Sequence, residues 1–174
     1  NPELNKAKRL KADCFTYPEF IGQLMRPYIP IVVSGTHGKS TTTAMLAHIF
    51  IAAGLDPTVV VGTQVSSWQG NARLGLGRYF IVEGDEYKEA FLNYSPVGLV
   101  LTNIEADHLD HYKNIKNIIT AFRKLVRKVP AGGFVIANAD DANTKKVITS
   151  AKSKVITYGM YDPHSDYFAT HILQ

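Results

Sequence analysis

Cysteine is nearly missing from this chain, which excludes a fold held together by internal disulfides. Among the 174 residues the single cysteine is Cys14, so no bridge can form within the chain. A lone thiol without a nearby base is also more often inert than catalytic. The sequence therefore predicts neither a disulfide scaffold nor cysteine chemistry.

Long apolar runs are missing as well. No stretch reaches the roughly 18 uninterrupted apolar residues that a membrane-spanning helix needs. The first residues, NPELNKAKRLKADCF, lack the apolar core of a signal peptide. We therefore expect a cytoplasmic protein with no membrane partner.

Clustered positive charge is the third absence. The formal net charge is +4, but lysine and arginine are scattered through 1–11, 113–128 and 145–154 without interleaved aromatic residues. Solvated faces explain this pattern better than a nucleic-acid partner, and we expect none. With 45% hydrophobic and 20% charged residues, the composition is that of one globular domain.

What the chain does have is an alternation of strand-like and helix-like segments. Short runs rich in Val and Ile are separated mostly by stretches of helical length and pattern. This order favours an α/β fold with a largely parallel sheet flanked by helices, whose ligands bind at the carboxyl ends of the strands. The apolar runs lie at 31–34, 58–62, 79–82, 97–102, 133–137 and 154–158.

Two segments fall outside this alternation. Residues 63–77, TQVSSWQGNARLGLG, are glycine-rich and irregular, so we predict a long loop there. Residues 1–30 contain Pro18, Pro27 and Pro30 and are predicted to be a lead-in segment, helical near Glu3 to Lys11.

The stretch IVVSGTHGKS has the pattern of a phosphate-binding loop. Ile31 to Val33 is predicted to be a buried strand, the next residues a tight turn, and Lys39 the start of a helix. Unpaired N–H groups at a helix N-terminus, with glycines that permit close approach, suit an anion. Lys39 would add a charge for the β and γ phosphates, and the Ser40 hydroxyl would ligate Mg²⁺. The predicted nucleotide-binding residues are Gly35, Thr36, His37, Gly38, Lys39, Ser40 and Thr41.

Acidic residues follow the apolar run of YFIVEGDE. Glu83 is the last residue of the predicted strand, and Asp85 and Glu86 come directly after it. Carboxylates at a strand's carboxyl end, beside a phosphate loop, are well placed to hold Mg²⁺. For Asp85 and Glu86 a second interpretation is equally good, because surface acids commonly open the next helix.

The segment VGLVLTNIEADHLDHY repeats this design. Asn103 follows its strand and could either position a metal-bound water or cap the loop. His108 lies in an acid-flanked loop, whereas His111 is expected to be a packing or surface residue.

A resemblance to a known family rests on these same motifs. The loop is a shorter variant of G-x-x-x-x-G-K-[ST], with Val33 where that pattern has its first glycine. GTHGKSTTT resembles the nucleotide loop of the Mur ligases, the ATP-dependent amide-forming enzymes of peptidoglycan precursor synthesis. A histidine directly before GK, as found here, resembles the loop of the branch that adds L-alanine to UDP-N-acetylmuramate. The segments AGLDPTVVVG, NARLGLGRYFIVEGDEYKEAFL, TNIEADHLDHY and NADD fall in the order and spacing of that branch.

The resemblance implies a domain organisation. Residues 31–174 would form a P-loop NTPase-like central ATPase domain, incomplete at its C-terminus because YFATHILQ reads as an unfinished strand. Residues 1–30 would lead in from an upstream UDP-sugar-binding domain, and a downstream domain would bind the amino acid. Both of those domains would lie outside this chain, which by itself would be an inactive fragment.

The resemblance also implies a reaction and its residues. L-alanine would be joined to UDP-N-acetylmuramate through an acyl phosphate made with ATP and two Mg²⁺ ions. Lys39, Glu83 and His108 would be catalytic, and Ser40, Glu83 and His108 would ligate the metals. Other Mur branches carry a carbamylated lysine, but none is assigned here.

Three residues are predicted to meet the substrate. Arg73 and Arg78 could contact the pyrophosphate or carboxylate of a UDP-sugar, or could simply be solvated, and Asn103 is the third candidate. Other functions stay open: a ligase that recycles a muramyl peptide, a folylpolyglutamate synthetase, or a P-loop nucleotide switch.

Overall fold

A computed structural model describes residues 1–170 of the chain. Helices and strands alternate along most of it, as the apolar pattern predicts. The strands are β1 (Ile29–Ser34), β2 (Thr58–Val65), β3 (Gly70–Arg73), β4 (Tyr79–Gly84), β5 (Gly98–Leu101), β6 (Phe134–Asn138), β7 (Lys154–Gly159) and β8 (Tyr167–Phe168). The α-helices are α1 (Pro2–Arg9), α2 (Tyr17–Leu24), α3 (Lys39–Ala52), α4 (Leu109–Tyr112), α5 (Ile115–Lys128) and α6 (Ala142–Ile148).

Within the described residues the strands form one sheet in the order β3-β2-β4-β1-β5-β6-β7-β8. All neighbouring pairs are parallel except β2 and β3. The predicted α/β fold with a largely parallel sheet is therefore confirmed. Because β1 lies between β4 and β5, the carboxyl ends of these three strands meet at one edge of the sheet.

The centre of the sheet is buried on both faces, which explains its continuous apolar runs. Val32 on β1 packs into the larger core with Phe122 and Leu125 of α5, whereas Ile31 and Val33 face the second core beneath α3. All five side chains are at most 3% exposed. A parallel sheet covered by helices on both faces reads as unbroken hydrophobic sequence, as it does here.

The prediction of a long loop over residues 63–77 is partly wrong. Strand β2 continues to Val65, a short 3-10 turn spans Ser66–Trp68, and β3 then pairs with β2 in antiparallel fashion across an irregular register. Strand β3 lies at the edge of the sheet, and none of its residues is buried. Such a strand needs few apolar residues, so the sequence pattern did not indicate it.

The lead-in segment is packed more closely than its sequence indicates. Ile21 and Met25, at and just after α2, are 5% and 0% exposed and belong to the larger core. At Gly22 an added Cβ would lie 2.3 Å from the Asn93 carbonyl oxygen, so α2 lies almost directly against the backbone of the 3-10 segment Tyr87–Asn93. Helix α1, predicted near Glu3 to Lys11, has no buried residue.

The C-terminal segment YFATHILQ was interpreted as an unfinished strand. Its first two residues form β8, which pairs with β7, and residues 171–174 lie outside the described residues. Across residues 1–170 the structure contains no helix that is both long and apolar enough to cross a membrane.

Candidate active site

The predicted strand, turn and helix around the phosphate loop are confirmed. Helix α3 begins at Lys39, directly after Gly38, whose φ of 79° lies in the left-handed region. Gly35 has φ 144°, and a Cβ there would lie 2.0 Å from Thr102 Oγ1. Both glycines are thus required by the backbone, because a side chain would be strained at either position.

The loop is fastened to the end of β5. The His37 amide donates to Asn103 Oδ1 (2.9 Å), and Asn103 Nδ2 donates back to the His37 carbonyl oxygen (3.1 Å). Thr102 Oγ1 donates to the same carbonyl (2.6 Å), and the Glu105 amide donates to Thr36 Oγ1 (2.8 Å). Of the interpretations open for Asn103, loop capping therefore has structural support, since its side-chain amide already bonds the loop backbone.

Glu83 reaches the first turn of α3 from the end of β4. Its Oε2 accepts a hydrogen bond from Ser40 Oγ (2.8 Å) and another from the Gly62 amide on β2 (2.6 Å). A Cβ at Gly62 would lie 2.8 Å from both carboxylate oxygens, so the close approach depends on glycine. Two of the predicted metal ligands, Ser40 and Glu83, are thus in direct contact.

Lys39 folds back over its own loop. Its Nζ donates to the carbonyl oxygens of Gly35 (2.8 Å) and Thr36 (3.0 Å) and to Glu86 Oε1 (3.2 Å). Glu86 Oε2 lies 2.9 Å from the same nitrogen, so the ammonium and the carboxylate form an ion pair. The Glu86 side chain is only 2% exposed, and burial raises the pKa of its carboxyl, although the hydrogen bond from Lys39 acts in the opposite direction.

The two acids after β4 therefore differ. Asp85 is exposed and accepts a hydrogen bond from the Tyr87 amide at 2.9 Å, which fits the interpretation as a surface acid that opens the next segment. Glu86 does not fit that interpretation, because it is buried against Lys39. The sequence left these residues undistinguished, since both follow the strand at nearly the same spacing.

His108 lies on the other side of Glu86. It has φ 50°, and its Nε2 is 3.8 Å from Glu86 Oε1. Glu86, Asp107 and His108 each offer one possible ligand atom, and these three atoms lie within 4.8 Å of one another. This spacing could hold a metal ion. This cluster offers carboxylate and imidazole groups, and the Ser40–Glu83 pair offers a hydroxyl and a carboxylate, so the residues present fit a metal-dependent site.

A cleft of about 410 Å³ opens beside these groups. Its lining includes Lys39, Gly62 and Glu83, together with Tyr17 and Tyr94. The contributions of Gly62 and of Tyr17 were missed by the sequence reasoning. An isolated glycine in a strand and a tyrosine in a lead-in segment carry no local signal of a site.

The two arginines lie away from the phosphate loop, and their contact with a UDP-sugar stays a prediction. Arg73 opposes Val59 near the start of β2, and its guanidinium donates to Asp56 Oδ1 (2.5 Å) and to the Pro57 carbonyl (2.7 Å). Arg78 precedes β4 and lies over the Tyr79 ring at 5.4 Å. Both positions are at the amino-terminal edge of the parallel strands, opposite the phosphate loop.

The remaining predicted loop residues are where the motif indicates. The His37 ring is exposed and 3.7 Å from Glu105, and Thr41 is exposed in the first turn of α3. Lys124, which was given no role, donates to both Glu89 carboxylate oxygens at 2.9 and 3.2 Å.

Comparison with known sequences agrees with this geometry. The sequence profile of the Mur ligase middle domain matches residues 33–174. The UDP-N-acetylmuramate--L-alanine ligase of Clostridium perfringens is 44% identical over 161 residues, which are 92% of this chain and 35% of that protein. The ligase of the same name from Caldicellulosiruptor saccharolyticus is 44% identical over 173 residues, 99% of this chain and 38% of that protein. The chain thus spans little more than a third of these relatives.

Solved structures share the fold. The UDP-N-acetylmuramate-alanine ligase MurC of Thermotoga maritima has a TM-score of 0.73 and 30% identity, covering 93% of this chain and 36% of that one. The UDP-N-acetylmuramate:L-alanyl-gamma-D-glutamyl-meso-diaminopimelate ligase of Neisseria meningitides has a TM-score of 0.80 and 27% identity, covering 89% of this chain and 53% of that one.

Proposed function

The chain belongs to the Mur ligase family, as its middle domain, and on that premise we propose that it is the nucleotide-binding part of an ATP-dependent ligase joining L-alanine to UDP-N-acetylmuramate. One observation carries the proposal: at the sheet edge where the glycine turn opens α3, Ser40 Oγ lies 2.8 Å from Glu83, and Lys39 and His108 lie 2.9 and 3.8 Å from Glu86. Relatives above 40% identity with this ligase name support the choice of substrates.

Phosphate binding falls to the loop of residues 35–41. The N-terminus of α3 presents backbone N–H groups and a partial positive charge, and both favour an anion. The Lys39 ammonium lies over this turn, where it donates to the carbonyl oxygens of Gly35 and Thr36. A phosphate bound to the loop N–H groups would therefore have a cation close by.

The metal-binding role falls to Ser40, Glu83 and His108. When bound there, Mg²⁺ would neutralise charge on the phosphates and on the attacking carboxylate. Two donors orient the Glu83 carboxylate, and His108 Nε2 lies 3.8 Å from Glu86 Oε1. The Glu83 carboxylate is thus oriented by its neighbours, which is how a site limits reorganisation during the reaction.

The reaction has two steps. The lactyl carboxylate of UDP-N-acetylmuramate attacks the γ phosphorus of ATP, which releases ADP and leaves an acyl phosphate. The amine of L-alanine then attacks the acyl carbon, so that the amide forms and inorganic phosphate leaves. Lys39 stabilises the negative charge that builds on the transferring phosphoryl group, a task of positioning and electrostatics rather than covalent chemistry.

We also propose the domain arrangement expected from the sequence. Residues 1–30 would connect to an upstream domain for the uridine end of the substrate, and a further downstream domain would bring L-alanine. The cleft beside Glu83, which Tyr17 also lines, is the surface on which the muramyl end would reach the phosphates. The reaction would take place in the cytoplasm.

A second candidate function is a ligase that recycles cell-wall peptide by joining a peptide, instead of L-alanine, to UDP-N-acetylmuramate. The TM-score of 0.80 with the Neisseria peptide ligase favours it, against 0.73 with the Thermotoga L-alanine ligase. The 44% identity with curated L-alanine ligases, against 27% with the peptide ligase, favours the first candidate. We therefore place L-alanine first.

One competition experiment tests the proposal. A whole ligase containing this chain is incubated with ATP, Mg²⁺, UDP-N-acetylmuramate, and equal amounts of L-alanine and the tripeptide L-alanyl-γ-D-glutamyl-meso-diaminopimelate. Mass spectrometry should detect UDP-N-acetylmuramoyl-L-alanine as the main product. A tripeptide product would establish the second candidate. ATP hydrolysis without either amide would contradict both and indicate a nucleotide switch.

A further inference from the structure

Glu86 is a buried carboxylate at the junction of three chain segments. It comes from the end of β4, and its side chain is 2% exposed. Lys39 Nζ of the phosphate loop lies 2.9 Å from it, and His108 Nε2 of the loop after β5 lies 3.8 Å from it. The Tyr112 hydroxyl donates to the Glu86 backbone carbonyl, so the backbone of this residue is also held.

The Lys39 ammonium has no spare donor in this arrangement. An ammonium carries three hydrogens, and Lys39 uses them on Gly35 O, Thr36 O and Glu86. A phosphate oxygen must therefore replace at least one of these partners.

The partners are not equal. The bond to the carboxylate is charge-assisted and roughly twice as strong as the bonds to neutral carbonyls. If Lys39 left Glu86, it would also leave a buried charge uncompensated, which is strongly unfavourable. A phosphate should thus displace the carbonyls of Gly35 and Thr36 and leave the pair with Glu86 intact.

We propose that Glu86 is a positioning residue, which holds one side of the Lys39 ammonium so that its other hydrogens are directed at the nucleotide phosphates. This inference rests on the proposed function and adds a residue to it. Glu86 touches no substrate and acts only through Lys39.

The proposal predicts that removing the Glu86 charge changes nucleotide affinity in opposite directions with and without Lys39. The Glu86 carboxylate and the phosphates are both negative, so without Lys39 the carboxylate can only oppose nucleotide binding. With Lys39 between them, the gain from a directed ammonium exceeds this repulsion. A purely structural residue would instead act in the same way in both backgrounds.

A double-mutant cycle on Mg-ATP binding tests this. The dissociation constants of the wild type, Glu86→Gln, Lys39→Ala and the double variant are measured by calorimetric titration. Glu86→Gln keeps the shape of the side chain and removes its charge, and should weaken binding by about fivefold to tenfold when Lys39 is present. In the Lys39→Ala background the same substitution should leave binding unchanged or tighten it.

The alternative outcomes overturn the proposal. Equal weakening in both backgrounds would mean that Glu86 acts independently of Lys39, as a support of the fold or as a metal ligand with Asp107 and His108. Tighter or unchanged binding of Glu86→Gln with Lys39 present would mean that Glu86 does not direct the ammonium. Glu89→Gln is the matched control, because it breaks the Lys124–Glu89 pair outside the site. Its dissociation constant should stay within about twofold of the wild type.

A second measurement requires no nucleotide. The protein is treated with acetic anhydride, and peptide mass spectrometry compares the acetylation rate of Lys39 with that of the exposed Lys152. Glu86→Gln should raise the rate of Lys39 relative to Lys152 several-fold, because the ammonium loses its anchor. Failure of the wild type to bind Mg-ATP in the titration would contradict the proposed function. An unchanged acetylation rate of Lys39 in Glu86→Gln would separately overturn the role of Glu86.

Discussion

The Ser40 hydroxyl donates a 2.8 Å hydrogen bond to the carboxylate of Glu83, which joins the first turn of α3 to the end of β4. The same carboxylate oxygen accepts the Gly62 amide at 2.6 Å. Three neighbouring elements of the sheet edge therefore set the direction of one side chain. A carboxylate fixed in this way can take up a cation without first searching for its rotamer.

Gly62→Ala should disturb this carboxylate without removing it. The new Cβ would lie 2.8 Å from its oxygens, closer than a methyl group can approach, so Glu83 must move away from Ser40. We expect Mn²⁺-dependent nucleotide binding to weaken by about tenfold, comparable to the loss of an orienting partner in other metal sites. Titration followed by electron paramagnetic resonance of Mn²⁺ measures this.

The matched control for that substitution is Gly132→Ala. A Cβ at Gly132 has no neighbour within 4 Å, so binding and melting temperature should remain those of the wild type. Unchanged Mn²⁺ binding in Gly62→Ala would show that the position of Glu83 does not matter for the metal.

Lys39→Ala should abolish most of the turnover of a whole ligase containing this chain. The substitution removes the cation that we propose stabilises the transferring phosphoryl group, and the loss of one such electrostatic contact costs about 3 kcal/mol, or roughly a hundredfold in kcat. Steady-state ADP release gives the rate. Lys145→Ala, which removes a half-exposed lysine paired with Asp162, should retain normal turnover. Near-normal kcat in Lys39→Ala would refute the phosphate-loop assignment.

Gly22→Ala should destabilise the fold through α2. Its Cβ would lie 2.3 Å from the Asn93 carbonyl oxygen, so α2 must shift and draw Ile21 and Met25 partly out of the core. We expect a loss of about 1–3 kcal/mol of unfolding free energy in urea titrations. Gln23→Ala, at an exposed position of the same helix, is the control and should change it by less than about 0.5 kcal/mol. Equal stability of the two variants would mean that α2 is dispensable.

Asp140→Asn should lower the melting temperature at neutral pH but not in acid. The backbone amides of Met160, Asp162 and Tyr161 donate to this carboxylate and hold the pKa of Asp140 below its ordinary value. A lowered folded-state pKa stabilises the fold above the unfolded pKa, and the contribution disappears as the pH falls through the folded value.

The difference from the wild type should thus be a few degrees at pH 7 and should shrink as the pH falls below about 4. Melting curves followed by circular dichroism at a series of pH values measure it. Asp13→Asn, at an exposed position between α1 and α2, should show no such trend. A difference that persisted at low pH would indicate that the asparagine disrupts the loop sterically.

The 174-residue chain by itself should bind Mg-ATP weakly and form no amide. Orientation of two reactants can supply roughly 7–11 kcal/mol of a barrier, and the proposed amino-acid and uridine surfaces lie outside these residues. Incubation of the purified chain with ATP, Mg²⁺, UDP-N-acetylmuramate and L-alanine, followed by mass spectrometry, checks this. Steady formation of UDP-N-acetylmuramoyl-L-alanine would place the amino-acid site within the chain.

Local features of the site could be predicted from the sequence because their causes lie within a few residues. The glycines of the 35–38 turn, the start of α3 at Lys39 and the apolar run of β1 are neighbours in the chain. The alternation of strands and helices is likewise set by local hydrophobic period, so the largely parallel sheet followed from it.

The partners of these residues were decided by the tertiary structure alone. Lys39 meets Glu86 across 47 positions and Ser40 meets Glu83 across 43. Nothing in the sequence distinguished the buried Glu86 from the exposed Asp85 beside it. Arg73 and Arg78 lie at the sheet edge opposite the phosphate loop, which the sequence did not indicate, because the edge that a residue occupies depends on strand direction and order. Sequence determines what each segment tends to form, whereas burial and contact arise only when segments distant in the chain pack together.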